Sequence, residues 1–115
     1  MHAFPHRFLR LWTQQRTGSV FAAFASFTAP YRVVGTPTEY LRVGDQGARF
    51  LFRFCPTCGT NLFHTEEGVT DRVGVAVGAF ADPLFPPPRL SIYDCRRHPW
   101  VALPPGTRAF DKDPS

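Results

Sequence analysis

Cys55-Pro56-Thr57-Cys58-Gly59 constrains this chain more than any other stretch, because it can hold half of a zinc site and little else in the sequence can supply the other half. Two cysteines two residues apart, with Pro between them and Gly after, form a knuckle whose turn points both sulfurs at one spot. Structural zinc takes four ligands in a tetrahedron. Beyond Cys55 and Cys58, the soft or borderline donors are Cys95 and four histidines, His2, His6, His64 and His98. What the chain does turns on whether that set is complete.

With 115 residues, 43% of them hydrophobic and 12 of them Phe, the chain can build one domain with a real core. No apolar run approaches the roughly 20 residues that span a bilayer, so no membrane partner is expected. The net charge of +4 comes from arginine almost alone, since Lys112 is the only lysine. Apart from the pair Arg96-Arg97, the arginines stand singly, mostly beside apolar residues, which reads as a solvated surface and not as a nucleic-acid footprint.

Three cysteines, two of them in a CxxC too tight for a staple, point to a metal role in a reducing, cytoplasmic compartment. A thioredoxin-like redox pair would open a helix, whereas β-prone Asn61-Leu62-Phe63 follows here. The start of the chain is Arg-rich and has no acid before Glu39, as in a transit peptide, but it is short and lacks serine. Phe8, Leu11 and Trp12 there can line one face of a short helix.

From Gly18 on, the pattern is one of short strands and turns. Arg49 to Phe54 alternates, with Phe50, Phe52 and Phe54 on one side and Arg49, Leu51 and Arg53 on the other. The knuckle ends this strand and Thr60 to Thr65 leads away, which predicts a hairpin with CxxC at its tip. Further strands are expected over Val20–Phe27, Tyr31–Val34, Glu39–Val43, Val73–Phe80 and Leu90–Asp94. Pro86-Pro87-Pro88 cannot join a ladder, and the Pro-rich tail from Pro104 is expected to run extended over residues 104–115. The fold class is therefore mainly β.

Arg53 to Thr60, followed by Val75-Ala76-Val77-Gly78-Ala79-Phe80, resembles the glutathione-dependent formaldehyde-activating (GFA) family, which includes centromere protein V. Upstream, Arg16 to Ala22 is similar to the segment after that family's catalytic cysteines. Downstream, Ile92-Tyr93 and His98-Pro99-Trp100-Val101 resemble its closing strand and tryptophan. The resemblance covers residues 16–103. It implies an Mss4-like β-tent with a structural zinc and a catalytic zinc, and carbon–sulfur lyase activity on a small thiol and aldehyde, such as the glutathione–formaldehyde adduct. Carried over by position, Cys55 and Cys58 match two structural zinc ligands.

Three departures cluster at the catalytic centre and the N-terminus. The catalytic cysteine triplet falls on Phe8, Arg10 and Thr13, none a soft metal ligand. The remaining CxC pair of the structural site falls upstream of Met1, and a His often found on the closing strand is Ser91. Two explanations stand: residues 1–15 are non-homologous sequence on a truncated or misread member, or the chain is a paralogue that keeps the fold without catalysis. The second makes it a non-catalytic zinc-binding or interaction module. A lost N-terminal strand would leave an open sheet edge, so self-association is expected.

The other candidates have blander readings. His2 and His6 sit near a terminus, and His64 reads as a strand residue before it reads as a ligand. Cys95, between Asp94 and Arg96-Arg97, can be a reactive thiol but reads first as an inert one. Thr17-Gly18-Ser19 is a turn that would shape the pocket of a complete member, and Trp100 is expected at the core or a sheet end. Catalytic and substrate-binding residues cannot be named from this sequence.

Overall fold

The alternating run Arg49–Phe54 forms a strand with the bounds its pattern predicts. In the computed structural model, which describes residues 12–44 and 47–111, it belongs to a five-stranded antiparallel sheet. The strands are β1 (Phe24–Thr28), β2 (Thr38–Val43), β3 (Arg49–Phe54), β4 (Asn61–Glu66) and β5 (Arg72–Ala76). Their order is β1-β5-β4-β3-β2, so β2 to β5 run as consecutive neighbours and β1 returns to pair with β5. The mainly-β expectation of short antiparallel strands holds, and the sheet fits a small β-rich fold of the Mss4 type.

Several element bounds differ from the sequence pattern. Tyr31–Val34 is not a strand: it runs between Pro30 and Gly35-Thr36-Pro37 with no ladder partner among the described residues. The strand expected from Val20 begins at Phe24. The one expected to reach Phe80 stops at Ala76, where small residues Gly78 and Ala79 favour a 3-10 turn over Val77–Phe80. That turn closes on Ala81 in the left-handed region, at φ 52°. Leu90–Asp94 is interrupted in the same way by Tyr93 at φ 52°, which leaves the short β6 (Leu90–Ser91).

Register places side chains on two faces. Ser26, Gly74, His64 and Phe52 lie in one row across β1, β5, β4 and β3. On the opposite face Arg53 stacks over the Phe63 ring at 5.0 Å, donates to Thr65 Oγ1 at 2.6 Å, and meets Glu39 Oε2 at 3.3 Å. Among the described hydrophobic residues only Phe52 and Val73 are buried, each 5% exposed, and alternation puts them on opposite faces. The edge strands expose Phe24 and Phe27 on β1 and Tyr40, Leu41 and Val43 on β2.

Residues 23–83 form one compact unit, and the described parts of 1–22 and 84–115 form a second. The second holds α1 (Trp12–Thr17), β6 and β7 (Arg108–Ala109), with β6 and β7 parallel. Trp12 lies in the short helix anticipated there, whereas Phe8 and Leu11 lie outside the described residues. Gln14 of α1 reaches the closing segment: its Nε2 donates to the Arg96 carbonyl at 3.2 Å, and its Oε1 lies 3.0 Å from His98 Nε2. Past Pro104, Thr107 turns back to the Pro104 carbonyl and Arg108 bonds the Arg89 carbonyl.

Asp94 organises this second unit. Its carboxylate accepts from Arg97 Nε at 2.9 Å, Arg97 Nη2 at 3.3 Å and Ser91 Oγ at 2.8 Å. Arg97, then Ser91, holds the Asp94 carboxyl below its ordinary value, and Asp94 in turn raises Arg97. A depressed carboxylate pKa gives stability that is fully present above the ordinary carboxylate range and is lost as pH falls through the native value. Asp94→Asn is therefore expected to destabilise at pH 7 and to converge on the unmodified chain toward pH 3, read by denaturant unfolding at both pH values. A gap that stays constant between them would show that the charge contributes nothing.

Candidate functional site

The CxxC segment does at the tip of the β3–β4 hairpin what its residues predict. Cys55 N donates to the Thr60 carbonyl at 2.8 Å and Gly59 N to the Cys55 carbonyl at 2.8 Å, closing the turn. Gly59 sits at φ +76°, a left-handed position that a Cβ would strain. Just before the turn, a β-bulge shifts the pairing between Arg53 and Phe54, so Arg53 faces Phe63 while Phe54 faces Asn61. Such a bulge re-aims the residues that follow it.

The two sulfurs are not equivalent. Cys55 is half-buried and Cys58 exposed. The backbone N–H of Cys58, then that of Thr57, points at the Cys55 sulfur and holds its thiol below the ordinary cysteine range, with the Cys58 side chain adding to this. Backbone donors aimed at one sulfur favour its thiolate, the form that binds metal. Cys58 Sγ lies 2.9 Å from Thr60 Oγ1. As donors, the pair fits two corners of a tetrahedral thiolate site. Among the described residues no cluster of three or more His, Cys, Asp or Glu converges on a metal position. The described residues thus supply two of the four donors that a tetrahedral site takes.

The other sequence candidates lie apart from it or outside the described chain. His2, His6, Phe8 and Arg10 fall outside the described residues, and Thr13 is in α1, where its carbonyl accepts from Thr17 Oγ1 at 2.8 Å. Thr17 Oγ1 also accepts from Ser19 N at 3.2 Å, so Thr17-Gly18-Ser19 is a self-bonded turn with Gly18 at φ +73°. Cys95 is exposed, with its sulfur 3.8 Å from the Asp111 carbonyl oxygen. Trp100, expected at the core or a sheet end, is 72% exposed and stands edge-on to His98 at 5.8 Å. It follows Pro99 in a turn, where no strand carries it inward.

His64 is the residue the pattern understated. It belongs to β4, as anticipated, but its ring fills the space over Gly74, where an added Cβ would meet His64 Cε1 at 2.5 Å and Nε2 at 2.7 Å. Phe24 stands edge-on at 5.0 Å, Phe52 tilts at 5.2 Å and Phe50 lies 6.4 Å away. A glycine between two valines on a strand signals such a close approach. The partner, ten residues away on the next strand, is identified by register alone.

The family match rests on the same stretches. Residues 11–96 match the family model described as glutathione-dependent formaldehyde-activating enzyme. That is about three quarters of the sequence, including the knuckle hairpin and the whole sheet. The chain belongs to the GFA family. A search of curated proteins found no match. The GFA stretch begins at residue 11, just before α1, and ends at Arg96, in the turn that Asp94 organises. No helix among the described residues is long and apolar enough to cross a membrane.

Proposed function

We infer that this chain is a GFA protein of carbon–sulfur lyase type whose catalysis is impaired, with Cys55 and Cys58 as zinc ligands. The reaction class is addition of a thiol to an aldehyde carbonyl: sulfur bonds carbon, and the thiol proton ends on the carbonyl oxygen. Zinc in such a site would hold the thiolate or polarise the carbonyl. Impairment is carried by one observation, that Phe8, Arg10 and Thr13 stand where the family pattern calls for the catalytic cysteines. The zinc assignment is supported by the closed turn and by the backbone N–H groups aimed at Cys55. The substrates of the lineage would be a small thiol such as glutathione and an aldehyde, in the reducing cytoplasm.

A second reading, a non-catalytic zinc-binding or interaction module, is favoured by the apolar residues exposed on β1 and β2, which also support self-association. One purified, zinc-loaded preparation tests all of this. It is expected to hold at most one zinc per chain and to form S-hydroxymethylglutathione no faster than the uncatalysed reaction. Cys55→Ser and Cys58→Ser should each lower the metal content further, since a lone thiolate loses half of an already incomplete set. Two zinc ions per chain, or formation above the uncatalysed rate, would overturn the impairment. A clean monomer on size-exclusion chromatography would remove self-association.

A further inference from the structure

The row Ser26–Gly74–His64–Phe52 borders a gap, which lies not over Gly74 itself, where the His64 ring fills the space, but beside it. Gly74 contributes no side chain, His64 leans over its Cα, and beside them lies a concavity of about 170 Å³. Its lining includes Phe24, Ser26, His64, Glu66, Arg72 and Gly74, all within the unit formed by residues 23–83. The volume falls below the roughly 300–1,000 Å³ of pockets for drug-sized ligands, so only a small metabolite fits.

Its charges are arranged in an unusual way. Glu66 is two residues along β4 from His64, and Arg72 is two residues along β5 from Gly74, so alternation puts both on the same face as the gap. His64 pairs with Gly74, and the same register carried on brings Glu66 opposite Arg72. Among the described residues neither Glu66 nor Arg72 forms an ion pair, while Arg49, Arg53 and Arg97 each do. A carboxylate and a guanidinium thus face one small cavity from adjacent strands, and Phe24, Phe50 and Ser26 also line it.

We propose that this notch binds a small zwitterion of the α-amino acid class, its carboxylate on Arg72, its ammonium on Glu66 and its side chain against Phe24 and His64. A guanidinium matches a carboxylate with two parallel N–H donors, and such charge-assisted bonds are about twice as strong as neutral ones. Arg72 is exposed and Glu66 half-buried, so both charged heads are open to an incoming ligand. A ligand carrying only one of the two charges satisfies one side and leaves the other facing it. The inference goes beyond the lyase reading and needs neither metal nor catalysis.

The test is an NMR titration of the isotope-labelled full chain with L-alanine, and separately with acetate and with methylammonium. L-Alanine is expected to move the Gly74 amide and His64 ring resonances saturably, with acetate and methylammonium at least tenfold weaker. Arg72→Gln and Glu66→Gln should each weaken L-alanine binding at least tenfold with the thermal melt unchanged. Resonances that do not move would mean that Glu66 and Arg72 close on each other, and the proposal fails. It fails equally if acetate or methylammonium binds as tightly as L-alanine, a result that needs no variant, or if both variants keep the original affinity.

Discussion

Phe52→Ala is expected to lower the unfolding free energy by about 3–5 kcal/mol, the usual cost of emptying a buried Phe site. Phe52 is 5% exposed and sits on β3 with neighbouring strands on both sides. Its ring lies against His64 at 5.2 Å and faces Phe50 at 6.3 Å, so truncation removes packing from the centre of an aromatic cluster. The figure is large because native domains hold only about 5–15 kcal/mol in total. The sheet has little buried hydrophobic material elsewhere to compensate, Val73 being the other buried apolar side chain among the described residues. Denaturant titration at constant pH reads the effect. A loss below about 1 kcal/mol, the range of an ordinary surface or partly exposed change, would show that Phe52 is not the packing centre.

Gly74→Ala should destabilise by up to about 2.6 kcal/mol net, and the sign should reverse once the imidazole is gone. Two effects compete at this position. Replacing Gly by Ala in ordinary extended backbone stabilises by about 0.4–1 kcal/mol, because the unfolded chain loses freedom. Against that, the new methyl would stand 2.5 Å from His64 Cε1, and overpacking costs about 1–3 kcal/mol. Overpacking wins while the ring is held by Phe24 and Phe52. In the His64→Ala background the clash is absent, so Gly74→Ala should be neutral or stabilising there. The double-mutant cycle measures a coupling within the roughly 0.5–3 kcal/mol seen for residues in contact. Equal costs in both backgrounds would mean that the ring moves aside freely and does not wall the notch.

The parts of this molecule legible in its residues are those where near neighbours decide the backbone. Arg49–Phe54 alternates and is a strand over that span. Pro56 and Gly59 make the tight turn that presents Cys55 and Cys58, and the hairpin continues into β4 within a residue of expectation. Where strand propensity had to compete with a turn, the pattern overreached. Val73–Phe80 reads as one strand until Gly78 and Ala79, with Ala81 in the left-handed region, turn the chain after Ala76. Tyr31–Val34 has β-branched residues but no partner strand among the described residues, and propensity without a ladder does not make a strand. Trp100 has the size of a core residue, yet a turn holds it in solvent.

Residue order alone specified a mainly-β chain and a two-thiol turn at a hairpin apex. Each of these is a property of a side chain's chemistry or of backbone torsions a few residues apart. Tertiary structure decided which side chains share a row: His64 over Gly74, Phe52 beneath the same cluster, Glu66 and Arg72 facing one gap. Those neighbours are set by strand register, and a shift of one residue would send every one of them to the other face.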